Sequence, residues 1–333
     1  NSSAHSQLDT VDVYLDAITV EDGLPQGYVL AMAQDSTGYL WFGTKDGLAR
    51  YDGYTFTVFQ HDEQDTSSIG GDHISGLLVD REGYLWVSIA PFDLDRYDPR
   101  TGRFAHVRII GLEEGLSSRS QSSLCADGHG RIWLSVHAGE GRQTFVVDPG
   151  TRGELVALDP HDVNLVESPL RDAQIFIGPN GDPWIANPDT ISCLHQMADG
   201  SDQIIDRPHT IPWVADDGVR EAPNMVVDPI TGLMLVAEPG FITYRTYDKA
   251  VPTDTLHLNG SDFQHFDLLD GRGRIWGGPK FRRDQRLDLK NNRREIIRLN
   301  GALPENVKRT NAVKTTFEDR AGNLWFTTAG FGV

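Results

Sequence analysis

The chain is short of cysteine, of basic charge and of long apolar runs, and each shortage removes a class of function. Only Cys125 and Cys193 occur in 333 residues, in different repeats and outside any C-x-x-C pair. No metal site is expected from them; they read as buried free thiols, with a disulfide as the alternative. Lysine and arginine total 30 against 48 aspartate and glutamate, a formal net charge of −18. A phosphate backbone or an anionic lipid surface needs a basic face, so contact with nucleic acid or with a membrane is not expected. No apolar run approaches the roughly 18 residues that a spanning helix requires. Sustained helical periodicity is missing too, because 34 glycines and 17 prolines punctuate the chain.

What is present is a repeat. Asp35-x-x-Gly38-x-Leu40-Trp41 returns as Asp80-x-x-Gly83-x-Leu85-Trp86, Asp127-x-x-Gly130-x-Ile132-Trp133, Asp270-x-x-Gly273-x-Ile275-Trp276 and Asp319-x-x-Gly322-x-Leu324-Trp325. Two worn copies fill the gap. One ends in Gly181-Asp182-Pro183-Trp184 with Gly178 in the aspartate position, and the other runs from Asp228 to Gly232 with Leu235 in the tryptophan position. The tryptophan positions 41, 86, 133, 184, 235, 276 and 325 are spaced by 45, 47, 51, 51, 41 and 49 residues. A period of that size is a propeller blade.

The signature has a physical reading. A short apolar strand precedes each aspartate, as in 29–34, 74–79 and 313–318. The aspartate opens a turn by bonding the backbone two residues on, and the glycine supplies a backbone angle that other residues resist. The tryptophan that follows buries about 150–250 Å², worth roughly 4–6 kcal/mol, and suits the space between sheets. Repeat one continues through a turn at Lys45-Asp46-Gly47 to Leu48–Tyr51 and, past Asp52-Gly53, to Tyr54–Phe59, which makes four strands in one unit. The expected fold is all-β: a seven-bladed β-propeller of four-stranded antiparallel blades, over 11–333. Residues 1–10 are expected to lie outside it. The alternating segment Val11–Val20 is expected to pair with the last blade as its outermost strand and join the ring. Small residues four positions before each turn, such as Ala31 and Gly76, fit strands crowding an axis, with Gln174, Asn224 and Phe266 partly filling it.

Repeat one, from Glu21-Asp22-Gly23-Leu24-Pro25 through Asp35–Trp41 to Gly43-Thr44-Lys45-Asp46-Gly47-Leu48-Ala49-Arg50-Tyr51-Asp52-Gly53, resembles the two-component regulator propeller repeat. The resemblance implies an extracytoplasmic, periplasmic sensor module of a bacterial membrane receptor with a histidine kinase or diguanylate cyclase output. It also implies further domains of the same receptor as partners, and a small-molecule or oligosaccharide ligand. The chain begins without Met and stops at Val333 in mid-repeat, and reads as a piece of such a receptor.

In a propeller the D-x-x-G turns occupy one end and ligands are sought at the other, among the turns after each second strand and the connections between blades. Ligand-binding candidates there are Lys45, Asp46, His73, Phe92, Arg119, His137, Arg142, Arg171, Asn187, Glu238, His265, Lys280 and Arg309, with Tyr28 and Asp72 beside them. Each taken singly is more often a solvated loop residue. No catalytic residue, metal or cofactor is expected. The aspartate-to-glycine spacing is one residue longer than in the sialidase Asp-box, and no G-x-S-x-G, H-E-x-x-H or phosphate loop occurs. A streptogramin-type lyase, with His137 and His265 near a metal, and a protein-interaction platform using Phe92, Trp213 and Phe263 are the alternatives.

Overall fold

Each described signature aspartate is wired into its own turn. In repeat one, Oδ1 of Asp35 accepts the backbone N–H groups of Thr37, Gly38 and Tyr39 at 3.0, 3.1 and 3.1 Å. Its Oδ2 accepts the indole N–H of Trp41 at 2.9 Å. Gly83, at the same turn position in repeat two, has φ 88°, in the left-handed region that only glycine enters freely. One short side chain thus shapes the turn and sets the tryptophan that follows.

Among the described residues these turns join strands into seven mainly antiparallel sheets that succeed one another along the chain. The computed structural model describes residues 9–110, 123–138, 141–150, 155–157, 174–178, 181–186, 190–196, 202–208, 225–227, 234–238, 241–245, 254–257, 265–278, 285–291, 293–301, 313–328 and 330–333. Sheet one comprises Val29–Gln34, Leu40–Thr44, Gly47–Tyr51 and Phe56–Phe59. Sheet two holds Ile74–Val79, Leu85–Ile89, Asp93–Asp98 and Arg103–Ile109. Sheet three holds Ser123–Ala126, Ile132–Ala138 and Gly141–Val147. Sheet four runs through Gln174–Ile177, Pro183–Ala186, Thr190–Gln196 and Asp202–Pro208. Met225–Val227, Met234–Glu238, Phe241–Arg245 and Asp254–His257 form sheet five. His265–Leu269, Arg274–Gly278, Gln285–Asp288 and Arg293–Gly301 form sheet six, and Val313–Glu318 with Leu324–Thr328 form sheet seven. The fold is all-β, with one described 3₁₀ turn at Val20–Asp22 that Thr19 and Asp22 cap reciprocally.

The tryptophans lie between consecutive sheets, as their bulk requires. Trp41 meets Tyr97 of sheet two edge-on at 5.2 Å and shares a core with Ile74, Leu85 and Val87. Trp86 packs with Ile132, Leu134 and Phe145 of sheet three. Trp276 meets Phe326 of sheet seven at 5.5 Å, and Trp325 of sheet seven meets Phe42 of sheet one at 6.1 Å. First strands of consecutive sheets are neighbours throughout, and that of sheet seven neighbours that of sheet one.

The junction of sheets seven and one repeats that of sheets one and two. The N–H of Gly47, which opens the third strand of sheet one, donates to the carbonyl of Asp72 at 2.7 Å. The N–H of Gly332 donates to the carbonyl of Gly27 at 2.8 Å. Thr44 and Thr328 cap these hairpins alike, their hydroxyls donating to the Gly47 and Gly332 carbonyls at 2.8 and 2.9 Å.

The N-terminal strand departs from expectation. It starts at Asp9 and ends at Leu15, and it pairs in parallel with Arg293–Gly301, the outer strand of sheet six rather than of sheet seven. The cause is complementarity along its length. Val11, Val13 and Leu15 join the core around Trp276, Ile297 and Phe326. Asp9 meets Arg293 at 2.8 Å, and Asp12 accepts from the Asn300 amide at 2.8 Å. Ile18, beyond this strand, exchanges backbone bonds of 2.7 and 3.0 Å with Val333, which follows sheet seven. Sheet three also differs from the four-strand expectation: Val156–Ala157, which follows its third strand, pairs in parallel with Arg103–Ile109 on the edge of sheet two.

Candidate functional site

The two ends of the sheets differ in how much of their polar chemistry is already used. At the D-x-x-G end, neighbouring turns bond to one another. Gly128 N–H donates to the Gly181 carbonyl at 2.6 Å, and Gly271 N–H donates to Glu318 Oε2 at 2.6 Å. The Arg320 backbone N–H donates to Gln34 Oε1 at 2.8 Å, and its guanidinium reaches the carbonyls of Ser36, at 3.2 Å, and Asp35. Donors and acceptors there are spent on structure. The opposite end carries the turns between second and third strands and the connections from one sheet to the next.

At that opposite end the hairpin turn between the second and third strands of sheet one presents Lys45 and Asp46, both exposed. The bond from Gly47 to Asp72 draws the connection into sheet two against this turn and places His73 beside it. The Lys45 ammonium stands 3.8 Å from the centroid of the Tyr28 ring, a close cation–π contact. Tyr28 and His73 occupy equivalent places, each just before the first strand of its sheet. Burial, and then the Lys45 charge, push the His73 imidazole below its ordinary value. The ring is therefore neutral near pH 7, with one N–H to donate and one lone pair.

Of the other expected residues, Phe92 lies in the next hairpin turn and packs against the core between sheets two and three, a structural role. His137 and Arg142 face one another in register across the hairpin of sheet three. Glu238 pairs with Phe241, and His265 with Gly278, at matching positions of sheets five and six. The side chains of these four, and the whole of Arg119, Arg171, Asn187, Lys280 and Arg309, lie outside the described residues. Lys45, Asp46 and His73 are thus brought together, and Tyr28 completes the group.

Two His–Asp pairs escaped the sequence reading. Nδ1 of His106 meets Oδ1 of Asp95 at 2.7 Å, and Nδ1 of His195 meets Oδ2 of Asp182 at 2.5 Å. Asp95 and His106 sit directly opposite across a hairpin, so a register assignment for that hairpin would have found them. Both cysteines are free, and burial raises the Cys125 thiol to about 12, which removes it from thiolate chemistry. Among the described residues, no three His, Cys, Asp or Glu side chains are grouped to hold a metal.

Comparison with known proteins fits this picture. Residues 23–46 match the family described as two-component regulator propeller. Histidine kinase P4 of Formosa agariphila is 43 % identical over 53 residues, which are 16 % of this chain and 4 % of that protein. The extracellular domain described as that of a hybrid two-component system, BT3049 of B. thetaiotaomicron, superposes with TM-score 0.65 at 20 % identity, over 95 % of this chain and 41 % of that one. The extracellular domain described as that of a one-component system, BT4673 of the same organism, gives 0.63 at 18 %, over 97 % and 41 %. The chain therefore spans about two fifths of those extracellular domains. At such identities the likeness speaks for the fold alone.

Proposed function

We propose that the chain is a ligand-sensing propeller from the extracytoplasmic, periplasmic part of a bacterial signal-transduction receptor. Its seven sheets act as the blades of one closed ring, and its output domain is a histidine kinase or a diguanylate cyclase. The observation that carries this reading is the pairing of a regulator-propeller repeat in the first blade with a backbone that follows the extracellular domains of two-component systems over nearly its whole length. The like-for-like junctions Gly47 to Asp72 and Gly332 to Gly27 support closure. The ligand is a small molecule or an oligosaccharide held at the end of the ring opposite the D-x-x-G turns, where Lys45, Asp46 and His73 gather. Among the described residues no helix is long and apolar enough to cross a membrane.

The test is a calorimetric screen of the chain against neutral and acidic plant and algal oligosaccharides, with each ligand recovered and analysed afterwards. Saturable binding with the ligand returned intact supports a sensor. Cleavage of a bound ligand would make the chain an enzyme, and absence of binding across the whole panel would remove ligand sensing from this propeller.

A further inference from the structure

The chain carries 18 more acidic than basic groups, so a lysine without a carboxylate partner is an exception that calls for a reason. Lys45 is such a lysine. Among the described residues it makes no ion pair, although Asp46 is its neighbour in the chain; its one recorded partner is the face of Tyr28. The aspartates nearby are engaged or directed elsewhere. Oδ1 of Asp72 accepts the His61 N–H at 2.8 Å, and Asp95 is buried against His106 and Gly70. Asp93 is exposed in the next hairpin. Burial, and then the Lys45 charge, lower the His73 pKa. Here, in an acidic protein, an ammonium without an ion pair among the described residues stands beside an aromatic face and a neutral imidazole.

We propose that Tyr28, Lys45 and His73 form a subsite for an anionic group on a saccharide, so that the ligand of this sensor is an acidic sugar. The proposal rests on the sensor reading above and narrows it to one ligand class. Lys45 supplies the charge, His73 donates one hydrogen bond, and the Tyr28 ring holds the ammonium in place and offers its edge to the sugar. An ammonium forms a charge-assisted bond to an anion of roughly twice the strength of a neutral one. The uncharged His73 discriminates little between acid and ester, which leaves Lys45 as the selective element. Carboxylate and sulfate ester share the required charge, and the ligand panel separates them.

The experiment is titration calorimetry of the chain and its Lys45→Gln and Lys45→Arg variants. The probes are an oligogalacturonate, its fully methyl-esterified form, and a sulfated galactan oligosaccharide that has no carboxylate. Expected are tight binding of one of the two acids and binding at least about tenfold weaker for Lys45→Gln, roughly the worth of one such contact. Lys45→Arg should recover most of the loss, and binding should weaken as salt is raised. Binding of the acid with equal strength by the parent and Lys45→Gln overturns the subsite, as does equal binding of the galacturonate and its methyl ester. If only neutral oligosaccharides from the broader screen bind, the subsite is wrong and the sensor stands. If nothing binds, both fall.

Discussion

The indole N–H of Trp86 donates to Oδ2 of Asp80 at 2.7 Å, and both residues are buried. The same bond joins Trp41 to Asp35, Trp133 to Asp127, Trp276 to Asp270 and Trp325 to Asp319, at 2.8 to 3.0 Å. The carboxylate closes a turn through one oxygen and anchors an inter-sheet tryptophan through the other. Asp80→Ala strands the indole N–H and the Tyr84 amide together, so we expect a loss of about 1–3 kcal/mol in urea unfolding. Asp319→Ala should cost less, because Trp325 is only partly buried. Equal and negligible effects at both positions would deny the bond any role in stability.

Repeat four shows what happens without the carboxylate. Gly178 keeps the turn, its N–H donating to the Asp182 carbonyl at 2.8 Å as Asp35 does to Tyr39. Trp184 is buried with its indole nitrogen unbonded, and that nitrogen lies 2.1 Å from where a Cβ on residue 178 would stand. The tryptophan has moved into the space the side chain vacated. Gly178→Ala therefore forces Trp184 out of position and should destabilise the chain by about 1–3 kcal/mol, read as a lowered midpoint in thermal or urea unfolding. An unchanged midpoint would mean that the indole relocates freely.

These two turns also mark how far the sequence could be read. Asp, Gly and Trp at fixed offsets announce strand, turn and strand because each acts locally, and the strands at Val29–Gln34, Ile74–Val79 and Val313–Glu318 have the expected bounds. Edge pairing has no local signature. Nothing in Val11, Val13 and Leu15 distinguishes sheet six from sheet seven until Arg293 and Asn300 are seen opposite Asp9 and Asp12. Nor does Val156–Ala157 announce that it crosses to sheet two. At the candidate site, Lys45 and His73 could be named from their place in the repeat. The contact of Lys45 with Tyr28 depends on side-chain direction, which spacing does not encode.

Arg320 fastens the last D-x-x-G turn to the first. Its backbone and guanidinium together engage Gln34, Asp35 and Ser36. Arg320→Ala removes the charge-assisted bonds and keeps the backbone one, so a loss of roughly 1–3 kcal/mol is expected. Its signature is local: amide exchange should accelerate at residues 34–36 and 319–322 and stay unchanged in sheet three. Uniform acceleration across all sheets would indicate global destabilisation instead of an opened junction.

The His106–Asp95 pair makes part of the stability depend on pH. Burial pulls the His106 imidazole down, but the hydrogen bond and charge of Asp95, the Thr66 carbonyl and the charge of Asp93 together raise it above its ordinary value. Burial also raises the Asp95 carboxyl, against the bonds from His106 and Gly70. A folded value raised above the unfolded one gives stability that is complete below the unfolded value and is lost as pH climbs through the folded one. For His106 that window opens near pH 6.5, its ordinary value. Asp95 acts in the same sense from near 3.8 upward. Because Asp95 also accepts the Gly70 N–H at 2.7 Å, losing the imidazolium loosens the connection that leads to His73. The unfolding midpoint of the parent chain should fall relative to His106→Gln between pH 6 and 8, and the Gly70 amide should exchange faster over the same range. A midpoint difference that stays flat with pH would show that His106 titrates alike in the folded and unfolded chain, and one that rises with pH would show that the fold holds it neutral.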